Sequence, residues 1–152
     1  MTKNKAFMFI QISGWLFLAY LVYAQGIAAL NYDYGVAMGT QEPADMITEV
    51  GAAFWYGFAL ADAVFYIPLL LVALIGLARR THWGKGLMIA AMGITVYWPI
   101  VCLAAVATAR GATGWTLPKE SEYWIVLPLI ALWGLWVLLY LLRKEDHGAW
   151  HS

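Results

Sequence analysis

Long apolar runs separated by short polar stretches organise the chain. Four of them, at about 8–30, 54–78, 87–109 and 123–142, reach the roughly 20 residues that cross about 30 Å of hydrocarbon. The runs are continuous rather than alternating. Since lipid leaves no partner for an unpaired backbone amide, they read as helices and not as barrel strands. The expectation is an all-α polytopic membrane protein, a single four-span domain over residues 1–152. With short connections it forms an up-down bundle of four transmembrane helices. The exception is an extended outer loop, 31–53, between helices 1 and 2, whose second part (Pro43, Ala44, Asp45) reads as a helix start.

Composition supports this class. The chain is 63% hydrophobic and 12% charged, against about 45–50% and about 25% in soluble domains. A net charge of +0 gives no basic face for phosphates, which excludes a nucleic-acid binder. The lone Cys102 excludes an internal disulfide and a Cys-x-x-Cys redox pair. Within its apolar run it reads as a small buried hydrophobe.

The charges orient the spans. Lys3, Lys5, Arg79, Arg80, Lys85, Arg143 and Lys144 fall on one side, and Arg110 and Lys119 on the other. Asp33, Glu42, Asp45 and Glu49 occupy the first connection without a base. The positive-inside rule then places both termini in the cytoplasm and the chain in the cytoplasmic (inner) membrane. Val22-Tyr23-Ala24 resembles a signal-peptide cleavage site, but the preceding apolar stretch is long for one.

Small residues four apart (Gly57 and Ala61, Ala59 and Ala63, Gly86 and Ala90, Ala105 and Ala109) are candidate close helix contacts. Trp55, Trp83, Trp115 and Trp124 read as interfacial anchors. Trp15, Trp98, Trp133 and Trp136 lie deeper, where an indole N–H needs an acceptor. Pro68, Pro99 and Pro128 inside spans predict local opening of the helix.

Asp62 is the one formal charge within these spans, roughly 12 Å below the outer boundary by helical rise. Such a residue faces the bundle interior or water and marks a functional site by default. Helical spacing puts Trp55, Phe58, Phe65 and Tyr66 on its face. Depth brings Tyr97 and Trp98 of the third span and Gln25 of the first to a similar level, with Glu49 able to close the top. Asp62, Tyr66, Tyr97, Trp98, Gln25 and Glu49 are therefore the predicted ligand-binding set.

A carboxylate among aromatic faces suits a small cationic ligand, and the same walls suit a flat lipophilic one. The expected function is binding or transport of such a molecule, with transport favouring a homodimer. The alternatives are a non-catalytic subunit of a larger membrane complex and an intramembrane enzyme acting on a lipid or isoprenoid. An enzyme is the less favoured, because no Ser–His–Asp set, Walker loop or dinucleotide motif is present. No cofactor is expected. The spans hold no histidine for a haem and no lysine for a retinal Schiff base. His147 and His151 lie in a tail that reads as solvated rather than as a metal site.

Overall fold

The computed structural model describes residues 3–143. The tail carrying Lys144, His147 and His151 lies outside the described residues. The chain forms helices α1 (Asn4–Leu30), α2 (Tyr32–Ala37), α3 (Ala44–Ala78), α4 (His82–Ala109) and α5 (Glu120–Leu142). All but α2 are long and apolar enough to cross a membrane, as a multi-pass membrane protein requires.

The helices outrun the apolar runs at their polar ends. Residues 44–53, expected within an outer loop, form the first turns of α3, and α2 occupies another part of that connection. The loop of 31–53 is thus mostly helical. Hydropathy marks where a helix enters hydrocarbon, whereas Pro43 and the acids after it mark where the backbone starts to coil.

Thr48 interrupts that extension with φ 68° and ψ 161°, a region almost reserved for glycine. Its hydroxyl accepts from Gly51 N–H at 3.2 Å, so it caps the helix that continues from there. The Met46 carbonyl meanwhile accepts from Thr116 N–H at 2.7 Å, which ties this corner to the 110–119 connection.

Two π turns break the regular ladder, Val22–Gly26 in α1 and Asp62–Tyr66 in α3, and they pack against each other. The second lies just before Pro68, whose ring and missing N–H disturb the preceding turn. Pro99 and Pro128 sit within α4 and α5 without such a break.

α1 meets α3 through Gly14 against Leu74, Gly26 against Ile67, and Ala28 in one cluster with Ala59. α3 meets α4 at Gly76 and Gly84, and again at Tyr66 and Thr95. α4 meets α5 at Thr95 and Gly134. Trp133 closes the ring of helices by donating to Ser13 Oγ at 3.0 Å. It packs on Phe17, while Trp136 packs on Phe9. These two tryptophans therefore join α5 to α1.

The tightest approach lies at the α3–α4 turn. A Cβ on Gly84 would overlap the Gly76 carbonyl carbon. Thr81 Oγ1 donates to Gly76 O at 3.0 Å and accepts from Gly84 N–H at 3.1 Å. By contrast, Gly57 and Gly86 have nothing within 4 Å of a built Cβ, so those members of the expected small-residue pairs face open space. Spacing identifies a stripe of small residues but not which way it points.

Gly84→Ala should destabilise the protein by about 1–3 kcal/mol through overpacking against backbone, while Gly86→Ala should be close to neutral. Thermal unfolding of the two variants in detergent checks the contrast. Thr48→Gly should raise the melting temperature, because relief of about 1–3 kcal/mol of strain exceeds the few tenths lost with the cap.

Candidate functional site

A hollow lies at the end of the bundle that carries the 31–43 and 110–119 connections. Its volume is about 230 Å³. α1 contributes Tyr20, Ala24 and Gln25, and α3 contributes Trp55 and Phe58. α4 adds Trp98 and Cys102, one helical turn apart. Lys119 and the first turns of α5, with Glu122, Tyr123 and Leu127, form the remaining wall.

A strap of Gly39–Glu42 covers one side. Gly39 takes φ 71°, the left-handed turn that ends α2 and that glycine adopts without cost. Gln41 Nε2 donates to Ala24 O at 3.0 Å, within the π turn of α1, and to Gln25 Oε1 at 3.4 Å. Glu42 Oε1 accepts from the Tyr123 hydroxyl at 3.2 Å, and Glu42 O accepts from the Tyr32 hydroxyl at 2.8 Å. The strap is thus fastened to α1, α2 and α5. Burial, and next the charge of Glu42, push the Tyr32 phenol up to about 12, so it serves as a neutral donor at physiological pH.

Of the predicted set, Gln25 and Trp98 line this hollow. Trp98 Nε1 is buried without a hydrogen-bond partner among the described residues. Asp62 lies one turn deeper than Phe58 on α3. It is 5% exposed, and its Oδ2 has no partner among the described residues. It does not line the hollow itself.

Tyr66 is buried below Asp62, but its hydroxyl pairs with Thr95 Oγ1. Thr95 gives its own proton to Ala91 O at 2.9 Å. Tyr66 is therefore the donor in that pair, and its proton is not offered to Asp62.

Tyr97 is 65% exposed and stands off the buried stripe of α4, away from the hollow. Glu49 is exposed beside a separate shallow cleft with Tyr32, Asp33 and Tyr56. Phe65, expected on the Asp62 face, is 62% exposed. The π turn inserts a residue and rotates the later positions of the helix out of the 3.6-residue register.

Sequence reasoning did not place Gln41, Glu42, Lys119 or Tyr123 here. Their signal was weak, because each lies in or next to a connection and only the fold brings them together. Outside the hollow, Arg110 Nε donates to Glu120 Oε1 at 2.6 Å. That hydrogen bond, with the charge behind it, holds the Arg110 guanidinium above its ordinary range. Trp124 Nε1 shares the same carboxylate at 2.8 Å, which fixes the start of α5. The described residues contain no cluster of metal-ligating side chains.

No family model matches this chain, and neither curated proteins nor solved structures give a significant match. The site's chemistry therefore rests on its own residues.

Gln41→Ala should loosen the strap and speed labelling of the sole thiol, Cys102, by methyl methanethiosulfonate. Loss of a hydrogen bond worth about 0.5–1.5 kcal/mol corresponds to a roughly 2- to 10-fold rate increase. Mass spectrometry over time reads it directly.

Proposed function

We propose that this chain is a small multi-pass protein of the cytoplasmic membrane that binds, or carries, a small organic cation with an apolar body. In this reading the four long helices form an up-down bundle with both termini in the cytoplasm, and the hollow opens outward. The basic turn at Arg79, Arg80 and Lys85 supports that orientation under the positive-inside rule. Exposed large residues such as Leu16, Val64, Leu129 and Leu132 suit lipid contact.

The composition of the hollow carries the functional reading. Glu42 and Glu122 face one base, Lys119, among the aromatic rings of Tyr20, Trp55, Phe58 and Trp98. An excess of carboxylate attracts a cation, and each suitably placed ring adds about 0.5–2 kcal/mol. The strap shields the site from water on one side. An acid–base enzyme finds less support, because the nearest tyrosine hydroxyl to Asp62 along α3 is committed to Thr95. A role as a subunit of a larger complex would instead use the exposed aromatic surface.

Tetraethylammonium, followed by tryptophan fluorescence of the protein in mild detergent, tests the reading. Trp98→Ala should weaken binding about 2- to 30-fold, the range that loss of one cation–π contact gives. Glu42→Gln should weaken it in the same direction, and Tyr97→Ala should leave it unchanged. Equal affinity in wild type and Trp98→Ala, or stable co-purifying partners with no cation binding, would overturn it.

A further inference from the structure

We infer that Asp62 is a proton site coupled to the hollow, so that a cation entering it displaces a proton from the Asp62 carboxyl. The inference rests on the cation-binding reading and adds to it the exchange of one charge for another.

Four observations converge on Asp62. The carboxyl is almost wholly buried, and Oδ2 has no donor among the described residues. An ionised carboxylate held so is costly, whereas a carboxylic acid needs far less from its surroundings. Its position is also close to the hollow. Asp62 stands four residues beyond Phe58, roughly 6 Å along the helix, and Phe58 lines the wall.

Titratable groups line the hollow beside Asp62: Cys102, Tyr123 and Glu42, the last two joined by a hydrogen bond. Finally, Asp62 opens a π turn that faces the π turn of α1, and such turns recur where a helix does more than pack.

The groups around Asp62 leave it as the one that must answer an incoming charge. From its own helix Tyr66 faces it, neutral and bonded to Thr95. From α4 comes the Cys102 thiol. The π turn of α1, which packs on that of α3, carries no formal charge. No lysine, arginine or histidine lies on these stretches of helix. A cation at the level of Trp55, Phe58 and Trp98 supplies the missing positive charge and favours the ionised acid. The O–H bond of the carboxyl then breaks, the electron pair stays on the carboxylate, and the proton passes to water through the hollow. When the cation leaves, a proton from water returns.

Tetraethylammonium is the suitable probe, because it carries no titratable proton and any proton released comes from the protein. The full chain in weakly buffered detergent solution, read with a pH dye at roughly pH 6 to 8, should release up to one proton per cation bound. Affinity should fall by up to about tenfold per pH unit as the solution is acidified, because proton and cation then compete. Infrared difference spectra of the wild type should show loss of a protonated-carboxyl band on binding, which needs no variant. Asp62→Asn should bind without releasing a proton and with a flat pH dependence. Glu42→Gln should bind more weakly but release as many protons per cation bound.

Binding without proton release in the wild type overturns the coupling and leaves the cation reading standing. So does release that persists in Asp62→Asn but vanishes in Glu42→Gln. Absence of any cation binding by the wild type overturns both.

Discussion

Gly76 and Gly84 bring α3 and α4 so close that no side chain fits between them, and Thr81 fastens the contact by bonding both backbones. The molecule is built outward from that clamp. Leu70, Leu74, Leu77, Met88 and Met92 fill the adjoining core, fully buried. Contact between helices immersed in hydrocarbon depends on packing rather than on escape from water, so a backbone-to-backbone approach has unusual leverage. At the other end of the same two helices, large rings replace glycine. Trp55 and Phe58 stand on one and Trp98 on the other, and the hollow occupies the space beside them.

Asp62 lies between these regions. Along α3, Trp55 belongs to the cluster beneath the strap, Ala59 to a small alanine cluster with α1, and Tyr66 to the large core. Asp62 falls between Ala59 and Tyr66, where the helix widens into a π turn. The polar groups below it are satisfied internally, as Tyr66, Thr95 and Ala91 show. Those at and above it, Asp62 Oδ2 and Trp98 Nε1, are not. Of the three buried polar atoms without a partner among the described residues, Asp62 Oδ2 and Trp98 Nε1 adjoin the hollow, and the third, Trp115 Nε1, lies in the 110–119 connection.

The helical class and the number of apolar helices were legible in the sequence, because burial in lipid requires long uninterrupted runs. The buried state of Asp62, the one charge within an apolar run, was legible as well. Helix rotation was not. Tyr97 and Trp98 are adjacent in sequence and equally deep, yet Trp98 lines the hollow and Tyr97 faces outward. Glu49 and Glu42 likewise share one connection, and only Glu42 reaches the hollow. Hydropathy reports distance along the membrane normal and carries almost no information about azimuth. The π turns compound this, since each shifts the register of every later residue in its helix.

The strap of Gly39–Glu42 has a kinetic consequence. It is moored by Gln41 on one flank and through Glu42 to Tyr123 on the other. Under the proposed cation-binding reading, parting of those moorings widens the hollow, so a mooring variant alters how fast a guest enters and leaves, whereas a ring variant alters how tightly it is held.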